Sequence, residues 1–351
     1  MMEVVRVKYP FRNLVFEGGG VKGIAYGGAL EVLEKRKILK DIVRVGGASA
    51  GAINAVLMAL GYTRQEMLDI LLELDFRKFL DDSWGLLPDV KRLLREYGWF
   101  KGDFFEEWIR RQITKKRQPA DVTFAQLKAS GHRGLYLIGT NLSTGFEEVF
   151  SAERTPRMRV SKAARMSMSI PLFFAAVLSR RGDVYVDGGV LDNYPVKLFD
   201  RQRYVASAER SSHVRRTDYY KKVNRRKKVR RNPYVYNMQT LGFRLDTAEE
   251  IAVFRREKPP AHQEIDQLFE YTWALIKTLL NAQNNQHLHS DDWHRTVYIN
   301  TLDVKTTDFG IKKKDKERLI EQGKVGTEKY FDWYEGRTRS LELPVNRPLE
   351  G

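Results

Sequence analysis

Three short glycine-bearing strings hold the residue types needed to attack an ester and to stabilise the charge that develops. Gly47-Ala48-Ser49-Ala50-Gly51 sets a serine between two glycines, Gly18-Gly19-Gly20 with Lys22 and Gly23 supplies unhindered backbone amides, and Asp187-Gly188-Gly189 supplies a carboxylate before a turn. A Gly-x-Ser-x-Gly string between a strand and a helix is a nucleophile elbow, in which Gly47 and Gly51 permit the tight turn that exposes Ser49. Consecutive glycines let N–H groups converge on one point, and a helix N-terminus behind them adds positive potential that Lys22 strengthens. Such a cradle is an oxyanion hole. Asp187 ends a strand in this reading, and Gly188 and Gly189 let the chain turn closely behind it, holding the carboxylate as a base. Taken singly, Asp-Gly is also a common turn between strands.

Other chemistries fit parts of the pattern. Gly18-x-Gly20-x-x-Gly23 matches a dinucleotide fingerprint, with Asp41 near the acidic position that motif uses. That reading leaves the Ser49 junction without a role. A phosphate-binding P-loop is excluded, because Ile24 follows Gly23 where a lysine and a hydroxyl residue belong. A Ser–Asp–His triad would draw on His287, His289 or His294. Ser49 comes after a single strand–helix unit, however, and Asp187-Gly-Gly has no part in that arrangement. The same histidines with Asp291 and Asp292 form part of a zinc-like ligand set. No second cluster completes the shell, and neither metal nor cofactor is expected.

The elements that must carry these residues alternate between strand and helix. Asn13–Glu17 reads as a buried strand, Ile24–Lys37 as a helix, Ile42–Gly46 as a second strand and Ala52–Leu60 as an apolar helix. Leu135–Thr140, Asp183–Val186 and Thr296–Asn300 read as further strands, with Glu148–Phe150 at an edge after the Thr144-Gly145 turn. Helices are expected over Arg159–Ser167, Gln263–Asn281 and Lys314–Tyr334. This alternation predicts an α/β sandwich around a largely parallel sheet. Between residues 63 and 117, Trp84, Leu86, Leu87, Trp99, Phe100, Phe104, Phe105 and Trp108 sit on short helices broken by Gly85, Pro88, Gly98 and Gly102. They fit a helical cap over an apolar site, and core packing is the competing reading.

The 351 residues carry a formal net charge of +16, which favours anionic partners. Much of it lies in the basic insertion at about 210–231, densest over Lys221–Arg231. The alternatives there are a solvated loop and an anchor for an anionic membrane, each basic residue adding roughly 1 kcal/mol near such a leaflet. No nucleic-acid partner is expected, because the run lacks a recognition fold or an aromatic platform. With zero cysteines, disulfides, thiolate metal sites and a cysteine nucleophile are excluded. No signal peptide or transmembrane segment is read, since the apolar windows fall short of the ~20 residues a span requires. The expected location is cytoplasmic with peripheral membrane association.

Glu17-Gly-Gly-Gly-Val-Lys-Gly23, then Gly47-Ala-Ser-Ala-Gly51, then Asp187-Gly-Gly189, in this order, resembles the patatin-like phospholipase family. Ala164–Pro171 and Val190–Pro195 agree with it, and the likeness runs from about Asn13 to Asp200, looser beyond. The resemblance implies a patatin-like three-layer α/β/α sandwich, with a catalytic domain at about 1–311 and a C-terminal helix and tail at 312–351. It implies a Ser49–Asp187 dyad without histidine and an oxyanion hole at Gly18, Gly19 and Gly20 assisted by Lys22. The expected reaction is hydrolysis of phospholipid or lysophospholipid esters through an acyl-enzyme, with an activating partner left open. A catalytically silent lipid- or protein-binding module on the same scaffold is the alternative.

Overall fold

Alternation of side chains along Asn13–Phe16 sends Leu14 and Phe16 into one core and Val15 into another, so this strand must lie in the middle of a sheet covered on both faces. The computed structural model describes residues 9–80, 97–250 and 291–337, with isolated positions between 265 and 278. Its main sheet has eight strands. They are β1 (Asn13–Phe16), β2 (Arg44–Gly47), β3 (Gly134–Asn141), β4 (Phe146–Ser151), β5 (Val177–Leu178), β6 (Val184–Asp187), β7 (Thr240–Asp246) and β8 (Thr296–Asn300). The order is β8-β7-β1-β2-β3-β6-β5, with β4 on the other edge of β3. Strands β8 to β3 run parallel, and β4, β5 and β6 join antiparallel. The architecture is the mixed α/β sheet that strand–helix alternation predicts.

One detail of this topology creates the site. Strand β2 pairs with Gly134–Leu137, whereas β6 pairs with Gly139–Asn141. Because β4 occupies the opposite edge of β3, β2 and β6 share one edge and run toward each other. Their C-terminal ends therefore meet beside Ile138.

The larger core gathers α1 (Tyr26–Lys35), α2 (Ala50–Ala59), the helices Asp103–Lys115 and Val160–Ser167, and the helix Lys313–Tyr334. On the other face Val15, Ala48, Ile138 and Val149 pack with Phe199 and Tyr204. The helix Lys313–Tyr334 is part of the main body, since Leu319 and Phe331 are fully buried in the larger core. It crosses α1 so closely that a Cβ on Gly28 would lie 1.8 Å from Ile320 O, and one on Gly323 would lie 1.8 Å from Ala25 O.

Several boundaries differ from the sequence reading. The glycine loop passes into a 3₁₀ helix, Gly20–Ala25, and the α-helix begins only at Tyr26. Strand β7 went unread because it carries Arg244 and Asp246, both buried in a mutual ion pair at 2.8 Å. The basic insertion is folded: Asp218–Arg226 is helical and Tyr220 is buried with its hydroxyl on Asp200. Its neighbours are tied to the start of the parallel strands, through Arg44 Nη1 on Tyr204 O at 3.2 Å and Gln239 Nε2 on Glu209 at 2.7 Å. In the aromatic stretch, Phe105 and Trp108 are core residues, packing with Phe79. Trp84, Leu86, Leu87, His287, His289 and most of Gln263–Asn281 lie outside the described residues.

Candidate active site

Ser49 sits between the last residue of β2 and the first turns of α2 with φ 52° and ψ −126°, in left-handed space that a non-glycine residue adopts only under constraint. The constraint is contact. A Cβ on Gly51 would lie 2.2 Å from Phe16 O, and one on Gly47 would lie 2.6 Å from Gly51 C, so both positions of the elbow exclude side chains. The Ser49 N–H donates to Ser167 Oγ at 3.1 Å, and the Ser49 hydroxyl faces Met168 Sδ at 3.7 Å. The N-terminus of α2, not of α1, is the α-helical terminus that abuts the serine.

Asp187 ends β6, and its N–H donates to Ser169 O at 2.9 Å. The run Ser167-Met168-Ser169 thus touches both halves of the pair. Asp187 Oδ1 accepts the Gly189 N–H at 2.7 Å, while Oδ2 is buried with no hydrogen-bond partner. Burial pushes the Asp187 carboxyl up to about 7, against smaller opposing effects of the Gly189 amide and the nearby Ser49 hydroxyl. A Cβ on Gly188 would lie 2.3 Å from Ile138 O, which is why the chain behind the carboxylate is bare.

The glycine loop lies directly against the serine. A Cβ on Gly18 would lie 2.9 Å from Ser49 Cβ, and one on Gly20, at φ +55°, would lie 2.1 Å from Thr306 O. The Gly18 N–H donates to Asn193 O at 3.0 Å, so Gly18 is not available as the oxyanion donor the sequence reading made it. Among the described residues the N–H groups of Gly19 and Gly20 meet no protein acceptor. Lys22 is buried in the 3₁₀ turn, where its charge helps to lower the proton affinity of Asp246.

Asn193 and Glu17 were missed as site residues, and together they hold the loop. Asn193 Nδ2 donates to Glu17 Oε1 at 3.1 Å and to Gly18 O at 3.2 Å. Glu17 Oε2 accepts the Leu245 N–H of β7 at 2.6 Å. Full burial drives the Glu17 carboxyl up to about 8 against the pull of Arg244. The only sequence signal for Asn193 was a polar residue within Val190–Pro195, six positions after Asp187.

His294 lies in the turn Asp291–Arg295 that precedes β8, with Nδ1 3.0 Å from Asp291 O and its ring stacked on Trp293. That is the strand-start end, whereas Ser49 follows a strand end, so His294 does not join the pair. Among the described residues no group of three acidic or histidine side chains could hold a metal ion. Nor is any helix among them long and apolar enough to cross a membrane.

A family model described as patatin-like phospholipase matches residues 14–200. The chain is 32% identical over 331 residues to the uncharacterized protein YqhO of Bacillus subtilis (strain 168), spanning 90% of this chain and 97% of that one. It is 28% identical over 194 residues to the probable lipid hydrolase 463L of Invertebrate iridescent virus 6, across 55% of this chain and 64% of that protein. The structure of VipD from Legionella pneumophila shares the fold at a TM-score of 0.55 and 17% identity, covering 92% of this chain and 67% of that one.

Proposed function

The chain belongs to the patatin-like phospholipase family, and we propose that it is a lipid acyl hydrolase of phospholipase A or lysophospholipase type acting through a Ser49–Asp187 dyad. The observation that carries this reading is the unpartnered, buried Oδ2 of Asp187 next to a conformationally constrained serine. In the first step the Ser49 hydroxyl turns from Met168 Sδ to Asp187 Oδ2 and gives up its proton there. The oxygen bonds to the acyl carbonyl carbon, and the carbonyl π pair moves onto oxygen, where the Gly19 and Gly20 amides receive it. Collapse of this intermediate breaks the bond to the alcohol, which leaves with the proton from Asp187. Water then repeats the sequence on the acyl-enzyme and releases the fatty acid.

Magnitudes divide the work. A positioned base contributes ~10²–10⁴-fold, and one oxyanion donor is worth roughly 2.7–4 kcal/mol. An ordinary carboxylate is a feeble base for a serine hydroxyl. Raised to about 7, Asp187 is a better one while remaining half ionised or more at neutral pH.

The exposed face of the helix Asp218–Arg226 and the turn after it present Lys221, Lys222, Arg225, Arg226, Lys227 and Lys228. We assign this face to an anionic membrane surface. Replacing these six residues with Gln should weaken vesicle binding and leave hydrolysis of a soluble ester in place; equal loss of both would make the segment purely structural.

The test of the main reading is fatty-acid release from mixed phospholipid vesicles by the wild type and Ser49→Ala, with and without chelator. Release that needs Ser49 and ignores chelator supports the dyad. Equal release by both proteins refutes it. No release from either favours the silent or activator-dependent module.

A further inference from the structure

The Ser49 hydroxyl, which lies near the Asp187 carboxyl, also meets a second side chain, Met168, through Sδ at 3.7 Å. The backbone of Met168 is held on both sides. Ser167 Oγ takes the Ser49 amide and Ser169 O takes the Asp187 amide. Its side chain is unbranched, with three rotatable bonds, and is the one adaptable part of the run.

Beyond Met168 lies a narrow crevice whose other walls are Phe79, Gly102, Phe105, Arg165 and Phe174. Phe79 and Phe105 meet edge to face at 5.3 Å. The arginine does not make the crevice a polar site. Its guanidinium donates to Ser169 Oγ at 2.6 Å, to Ala175 O at 2.9 Å and to Lys101 O, and it lies over the Phe174 ring. With its donors occupied in this way, Arg165 fixes the walls and offers a ligand little. The crevice is apolar but closed, too tight to admit even a water molecule, so a hydrocarbon chain can enter it only if Met168 and the phenylalanines move apart.

We propose that Met168 is a door between the Ser49 hydroxyl and an acyl-chain subsite lined by Phe79, Phe105 and Phe174, and that it sets acyl-chain preference. A chain entering the subsite must move the thioether aside. The same movement takes Sδ off the Ser49 hydroxyl and frees it to turn to Asp187 Oδ2. Chain length therefore acts on kcat as well as on KM, because the long chain removes a contact that a short one leaves in place. The inference rests on the acyl-hydrolase reading and adds the residue that selects the substrate.

The experiment uses the full chain and p-nitrophenyl esters from acetate to dodecanoate, with wild type, Ser49→Ala, Met168→Ala, Met168→Leu and Met168→Phe. The quantity read is the ratio of kcat on decanoate to kcat on acetate. Met168→Ala removes the contact for every substrate and should lower that ratio about tenfold by raising kcat on acetate, equivalent to ~1.4 kcal/mol between the two transition states. Met168→Phe, which fills the doorway, should lower it instead by reducing kcat on decanoate. Met168→Leu nearly conserves volume and so protects against misfolding, but it has one rotatable bond fewer and should also lower the ratio. Parallel chain-length profiles in the wild type and all three variants overturn the door while leaving the hydrolase intact. Hydrolysis of the acetate ester that is the same in wild type and Ser49→Ala removes the hydrolase reading and the door with it.

Discussion

Asp187→Asn should destroy hydrolysis and make the protein more stable, by an amount that depends on pH. The carboxyl is fully buried and moves from an ordinary value of 3.8 up to about 7, because burial disfavours its charged form. Below both values the folded and unfolded chains carry the same proton, and the group does not affect stability. Between them the unfolded chain has lost its proton and the folded chain keeps it. Each pH unit in that window therefore lowers stability by ~1.4 kcal/mol. Above the folded value the full difference, about 3 units or on the order of 4 kcal/mol, stands as a penalty. Asparagine is isosteric, still accepts the Gly189 N–H and cannot ionise. Its stability relative to wild type should rise by about 3 kcal/mol between about pH 5 and about pH 8. Equilibrium urea unfolding of both proteins at the two pH values measures this, and taking the difference cancels every other titrating group, Glu17 included. A variant whose advantage is the same at both pH values, or that is the less stable one at the higher pH, would refute the claim that folding holds this carboxylate against its burial.

Three further outcomes are expected. On a soluble ester kcat/KM should rise with pH through an apparent pKa of about 7, falling roughly tenfold per unit below it because the protonated Asp187 cannot accept the serine proton; a level profile from about pH 5 to about pH 8 would exclude Asp187 as the base. Ser49→Gly removes a side chain from backbone at φ 52° and should gain about 1 kcal/mol in urea unfolding while abolishing hydrolysis. A less stable variant would show that the elbow is not strained. Asn193→Ala cuts the bonds to Glu17 and Gly18 O and should lower kcat about 10²-fold with little change in KM, as loss of oxyanion geometry does. A rise in KM alone would place Asn193 in substrate binding.

The glycine framework around Ser49 and Asp187 was largely legible in the sequence because its geometry leaves no room for side chains. Glycine at 18, 47, 51 and 188 is required by contacts of roughly van der Waals failure, and such positions announce themselves as glycine. What surrounds the site was harder to read. Strand β7 breaks the apolar pattern with Arg244 and Asp246, because charged residues that satisfy each other inside a sheet look like surface residues in a one-dimensional reading. Nor does local periodicity reveal that the amide of Leu245 closes on Glu17 from 228 positions away. The basic insertion hides its docking in a single residue, since only Tyr220 is buried in the helix Asp218–Arg226. The aromatic stretch was ambiguous for a related reason: Phe105 and Trp108 point into the core from the same helix that leaves Phe104 half-buried.

The seating of the glycine loop also fixes when the site can exist. Ser49 and Asp187 both fall within the residues matched by the family model. Yet the glycine loop beside them rests on Leu245 through Glu17 and on the carbonyl of Thr306 through the Val21 amide at 3.2 Å. A ribosome adding about 5–20 residues per second reaches Thr306 on the order of ten seconds after Asp187. Throughout that interval the nascent chain carries Ser49, Asp187 and Asn193 while two of the loop's supports have yet to be made. On the proposed reading, the site is therefore complete only when β7 and the Thr306 turn have been made.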